Sequence, residues 1–222
     1  MWKAIALKEL RELAPLAGVA LVAYGGIVAH ALGVDLALWP AARPQPIPFV
    51  TDAFVMQTTL VACCLAFGLA LKQTLAESTH GTWLWLLHRP VPRSQIVAAK
   101  LATGGLVYLT CAGLPIVFYA CWAAWPGTHA SPFYWSMTES AWLAWAIVGV
   151  LYLATFLSAL RPGHWIGTRL LPLLGTFTLA ALYDLFQWRG SWLAVAAFWL
   201  LLILLGAAVA TCVQFVARVR DF

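Results

Sequence analysis

Charge is scarce in this sequence. Of its 222 residues only 9% are Asp, Glu, Lys or Arg, while 63% are hydrophobic; a soluble domain carries roughly a quarter charged residues. With a mean hydropathy of +0.86, a water-soluble core is excluded and a polytopic helical membrane protein is expected. Catalytic signatures are missing too. There is no H-E-x-x-H and no G-x-S-x-G, the usual marks of zinc proteases and serine hydrolases. There is no G-x-x-x-x-G-K-[ST], so the chain carries no P-loop with which to hydrolyse ATP itself. None of the five cysteines (Cys63, Cys64, Cys111, Cys121, Cys212) stands in a C-x-x-C pair, so no zinc or dithiol site is expected and they read as small apolar packing residues. No block of like charges accompanies the net charge of +5, which argues against nucleic acid. The histidines fall near the two sides, His30 and His129 on one, His80, His88 and His164 on the other, so no transmembrane haem pair is expected.

What the sequence has in abundance is long apolar runs. Trp2–Leu13 puts Trp2, Ala6, Leu10 and Leu13 on one helical face and Lys3, Lys8, Glu9, Arg11 and Glu12 on the rest, which predicts a helix lying in the membrane interface before the chain turns in at Pro15. The basic start followed by Ala29-His30-Ala31 imitates a cleavable leader. The apolar run from Leu13 to Leu32 is, at about 20 residues, long enough to span a bilayer, so a retained first span over about 14–33 is expected. Gly25, Ala29 and Gly33 give that span a face for close helix approach. The connection 34–50 carries four prolines and excludes a helix. Further spans are predicted over about 51–72, 100–125, 137–160, 170–187 and 192–217, with Pro115 bending the third. The expected fold is therefore all-α, a single transmembrane domain of six helices over residues 1–222.

Eleven basic residues (Lys3, Lys8, Arg11, Lys72, Arg89, Arg93, Lys100, Arg161, Arg169, Arg218, Arg220) fall on one side of this plan, two (Arg43, Arg189) on the other. The side with eleven is expected to be cytoplasmic, with both termini inside. Tryptophans agree, clustering near both boundaries. Ionisable and polar residues near spans are functional candidates. Asp52, Glu139 and Asp184 fall near outer ends, and Gln57, Glu139 and Asp184 are the candidates for a substrate path; pairing of Asp184 with Arg189 or Arg43, or interfacial exposure, is the plainer explanation.

The long interruption between spans two and three is Glu77–Lys100, ESTHGTWLWLLHRPVPRSQIVAAK. Residues 74–89 are too short and too polar at their start to cross a bilayer. They predict a cytoplasmic helix stopped by Pro90 and Pro92, with Arg93-Ser94 opening the next. A helix merely resting on the lipid is the alternative, which Trp83, Trp85 and Leu87 suit.

Here the sequence resembles the permeases of type 2 ABC exporters. The features that carry the resemblance are Glu77, Gly81-Thr82, Leu86-Leu87, Pro90-Val91-Pro92-Arg93 and Lys100 between spans two and three, together with Lys8-Glu9-Leu10-Arg11 in an N-terminal interfacial helix. About 40 residues carry it in detail, and the six-span plan with both ends inside covers the rest. The resemblance implies a multi-pass subunit of the cell (inner) membrane without an ATPase site. It implies pairing with a second permease, identical or not, and a separate P-loop ATPase that holds ATP and Mg. The helix at 74–89 would be the coupling helix, docking through Glu77, Gly81, Thr82, Leu86, Pro90 and Arg93, with no catalytic residue and no metal. The short half-inserted helices usual between spans five and six have only Gln187–Ser191 as obvious room. The haem-exporter-type permease of cytochrome c maturation is similar in length, but Arg93 fits the general exporter pattern better. A non-transporting membrane scaffold or enzyme-complex subunit is the alternative from another class.

Overall fold

The computed structural model describes residues 2–34, 47–49, 52–76, 92–128, 132–160, 166–187 and 192–219. These are helical apart from short turns and irregular residues such as 32–34, 47–49, 124–128 and 132–134, with no strand among them. Six helices carry the fold: α1 (Trp2–Ala31), α2 (Asp52–Leu71), α3 (Arg93–Ala123), α4 (Glu139–Leu160), α5 (Ile166–Gln187) and α6 (Trp192–Val219). Five helical stretches, one each from α1, α2, α3, α4 and α6, are long and apolar enough to cross a membrane. In α5 the described apolar part is Leu170–Leu182.

The turn expected at Pro15 is absent. Trp2–Ala31 is one helix with Pro15 inside it, so Trp2–Leu13 is its first three turns rather than a separate interfacial element. Proline here removes only the hydrogen bond to the Arg11 carbonyl, and helices in membranes tolerate that loss where neighbours compensate. The packed face differs as well: Ile5, Glu9 and Leu13 are buried, while Leu7 and Leu10 are exposed. Gly33 closes α1 with φ +79°, and the amide of Val34 donates to the Ala29 carbonyl at 2.9 Å, an ordinary glycine-ended terminus. Among the described residues no helix packs closely on the Gly25–Ala29–Gly33 face, since open space lies beside both glycines.

The third helix begins at Arg93, seven residues before the expected start, and runs through Pro115. At 1.5 Å per residue its 31 residues, like the 30 of α1, reach about 45 Å, against about 30 Å of hydrocarbon. Both therefore overhang by roughly 15 Å, or ten residues. Their N-terminal ends pack in parallel through Ile5, Ile96 and Ala99. Helix α4 lies at the centre and touches α2, α3, α5 and α6. In its most apolar window 61% of residues are buried, against 11% in α6, which leaves α6 as the outermost helix.

Two clusters form the core. The larger joins α1, α2, α3 and α4 through residues such as Tyr24, Leu65, Tyr108 and Phe156. The smaller joins α4, α5 and α6 through Leu143, Ile147, Val150, Leu179, Phe198 and Leu202. Threonines within the helices donate to their own helix: Thr58 to Phe54, Thr103 to Ala99 and Thr155 to Leu151, each at 2.8 Å. Apolar surroundings make that internal satisfaction necessary. At the end near Asp52, Phe49 adopts φ +63° and places its ring 5.4 Å from Phe54 and 4.8 Å from Tyr119. Of the cysteines, Cys111 is buried and Cys63 half-buried, while Cys64, Cys121 and Cys212 are exposed, so only the first two act in packing.

Candidate functional site

Four polar side chains from distant parts of the sequence meet near one end of the helix bundle, beside the N-terminal turns of α1 and α3. Helix α2 ends at Leu71 and passes into a π turn, Lys72–Ala76, whose wider winding resets the direction of the side chains that follow, a feature frequent at functional sites. Gln73 points inward from this turn and is 1% exposed. Its amide nitrogen donates to the Lys100 carbonyl at 2.8 Å and to Glu9 Oε2 at 3.3 Å. Lys100 Nζ lies 2.7 Å from Glu9 Oε1. The Tyr152 hydroxyl donates to Gln73 Oε1 at 2.8 Å, with the Leu101 carbonyl at 3.3 Å. One network therefore ties α1, the end of α2, α3 and α4 together.

The burial is complete. Lys100 is 0% and Glu9 1% exposed, and charges are taken out of water to this extent only when paired. The overhang of α1 and α3 makes the pairing possible, because it brings the second turn of each helix to the same depth. Gly104, one turn beyond Lys100, completes the packing: a methyl group there would collide with Gln73 Oε1 and the Tyr152 hydroxyl. Glycine is required at this position for close approach rather than for backbone freedom.

The sequence-expected site residues stand differently. Glu77, Gly81, Thr82, Leu86 and Pro90 lie outside the described residues, as does most of the coupling helix expected over 74–89; its first residues, Thr74–Ala76, belong to the π turn. Arg93 is the first residue of α3 and is exposed. Lys100, expected on a basic cytoplasmic edge, is instead wholly buried, and Glu9 leaves the polar face for the core. The physical reason is the same for both, since each neutralises the other. Gln73 and Tyr152 carried no signal of their own in the sequence. The available clue was depth: Glu9, Gln73 and Lys100 are polar residues near the same end of three adjacent helices.

Gln57 lies in a groove of about 720 Å³ between α2, α4 and α5. Glu139 opens α4 in its first turn, where a carboxylate complements the helix dipole, and it does not line that groove. Asp184 belongs to α5, with its side chain outside the described residues. Among the described residues no three or more His, Cys, Asp or Glu side chains gather as a metal site. The chain matches no protein-family model and no curated protein.

Proposed function

We propose that this chain is the membrane-spanning permease subunit of an ATP-driven exporter of the type 2 ABC class. In this reading it sits in the cell (inner) membrane with both termini inside and pairs with a second permease. It moves a hydrophobic or amphipathic substrate, powered by a separate P-loop ATPase that binds ATP and Mg. The stretch Glu77–Lys100 is the docking surface and 74–89 its coupling helix, with Glu77, Gly81, Thr82, Leu86, Pro90 and Arg93 as the contact and geometry residues.

The observation that carries the reading is the position of the buried network. Gln73 stands four residues before Glu77, and Lys100 seven after Arg93. Gln73 and Lys100 are bonded to each other and to α1, and Gln73 to α4. A force applied to the segment between them is thereby passed to four helices at once instead of bending one loop. Rigid connection of this kind is what an external motor needs in order to tilt spans, because packed interfaces shift between discrete arrangements rather than deform gradually.

Purification of the tagged full chain in mild detergent tests the proposal. A P-loop ATPase is expected to co-purify in stoichiometric amount, and Glu77→Lys or proline at Leu84 is expected to release it without loss of membrane insertion. Retention of the ATPase by both variants removes the docking assignment. Absence of any ATPase from the unaltered complex favours a non-transporting scaffold.

A further inference from the structure

The end of the bundle opposite the Glu9–Lys100 pair is held by aromatic rings. Phe49, the last described residue before α2, is 5% exposed. Its ring lies 5.4 Å from that of Phe54 in the first turn of α2, 4.8 Å from Tyr119 near the end of α3 and 6.3 Å from Phe133 shortly before α4. Phe54 and Tyr119 also meet at 4.5 Å. Trp122 stacks on Tyr119 at 5.7 Å, and Trp135 stands edge-on to Phe133 at 5.4 Å. One ring thus joins α2, α3 and the approach to α4.

The backbone that delivers this ring is out of its usual conformation. Among the described residues Phe49 is the only one besides glycine with a positive φ, +63°. That region is disfavoured for a bulky side chain, because Cβ crowds a carbonyl oxygen, and a turn that needs it ordinarily carries glycine. Such a residue persists only where its surroundings over-determine the conformation. The surroundings here are the rings, so two forces oppose each other at one residue. The ring favours the closed arrangement and the backbone favours leaving it.

The two ends of the bundle differ in what parting them entails. At the Glu9–Lys100 end, separation leaves two buried charges unpaired and breaks the bonds of Gln73 to α1 and α3. At the Phe49 end, Thr128 and Thr138 donate within their own turns, to the carbonyls of Trp125 and Trp135 at 2.8 Å, and so place no bond between helices. Rings that part there enter lipid, which is as apolar as the core, and lose packing alone. Some of that loss is returned when Phe49 relaxes to negative φ.

We infer that Phe49 is a strained latch, and that the core of α2, α3 and α4 opens at this end while the Glu9–Lys100 end stays closed. The latch releases when the ring withdraws and the backbone at Phe49 returns to negative φ. The polar network then acts as the fixed end of a hinge. That such an opening is the exit of a transport path rests on the permease reading; the latch itself does not.

The test uses the purified full chain in mixed micelles, in a cysteine-free background with one buried reporter at a time. Ala120→Cys lies next to Tyr119, and Ala99→Cys lies with Ile5 and Ile96 at the other end; both positions are 1% exposed. Reaction with N-ethylmaleimide, relative to the same variant in denaturant, reports local opening. With Phe49 intact, Ala120→Cys is expected to react at least about tenfold faster than Ala99→Cys. Phe49→Ala and Phe49→Gly both remove the ring and are expected to speed Ala120→Cys further, with Ala99→Cys unchanged. The glycine variant is expected to react about fivefold more slowly than the alanine variant, because glycine alone accepts positive φ freely. Where the backbone is ordinary, the order is the reverse. Ala141→Cys, buried in the first turn of α4, repeats the reading from another helix, so the test does not depend on one reporter folding. Ala120→Cys no faster than Ala99→Cys with Phe49 intact, a rise at both ends together in the Phe49 variants, or a glycine variant as fast as the alanine one overturns the inference. Labelling as expected in a chain that brings down no ATPase leaves the latch standing and removes its role in transport.

Discussion

Lys100 Nζ lies 2.7 Å from Glu9 Oε1, although 91 positions separate the two residues, and neither side chain reaches solvent. The pair sets the register of α1 against α3. One residue's shift along either helix would rotate a charge into the apolar core, so the two helices are held to one parallel alignment. Whether such a pair adds net stability over apolar residues is a separate matter from the cost of breaking it.

That distinction is measurable. Glu9→Gln or Lys100→Met alone leaves one buried charge without its counterpart and is expected to destabilise the fold by about 3–5 kcal/mol. Glu9→Leu combined with Lys100→Leu is expected to recover most of that loss. Unfolding in mixed micelles, read by tryptophan fluorescence, gives both values. Singles no worse than the double would show that the pair is solvated.

Gly104 offers a second test. Gly104→Ala forces apart the hydrogen-bonded ends of Gln73 and Tyr152 and is expected to cost about 1–3 kcal/mol. Gly25→Ala, with open space around it, is expected to be neutral or to stabilise by up to about 1 kcal/mol through helix propensity. Midpoints of thermal unfolding of the two variants should move in opposite directions or only the first should move.

Tyr152→Phe removes one hydroxyl while keeping the ring against Phe156. Gln73 Oε1 then loses its donor, and a loss of about 1–3 kcal/mol is expected. Backbone hydrogen exchange should rise in the π turn Lys72–Ala76 first, because Gln73 anchors that turn. Uniform exchange along α4 instead would mean that the phenol serves packing alone.

Sidedness is tested separately. In a cysteine-free background, Ser136→Cys is expected to react in intact cells with a membrane-impermeant maleimide, and Gln95→Cys only after permeabilisation. Both positions are exposed, so the difference reports the side of the membrane, as the distribution of basic residues predicts. The reverse pattern would invert the topology.

Much of the architecture was legible without coordinates. An apolar run long enough to cross hydrocarbon can satisfy its backbone only as a helix, so length and hydropathy were enough to predict six helices and where they end, while α1, α3 and α5 begin earlier than expected. The misses occurred where local rules compete with partners. Pro15 reads as a turn, yet the cost of one missing hydrogen bond is smaller than the gain from packing α1 along α3. The amphipathic pattern of Trp2–Leu13 reads as a surface helix, because nothing in that stretch indicates that Glu9 has a cation waiting for it.

The sequence by itself determined the class of molecule: charge too scarce for a soluble surface, apolar segments of bilayer length, and basic residues gathered between them. Only the tertiary structure decided which polar residues are surface and which are core. Burial of a charge depends on a counter-charge a few ångströms away, and that distance is set by helix packing between residues far apart in the chain. For the same reason Gln73, Tyr152 and Gly104 gained their meaning together, in the fold, and none of them alone.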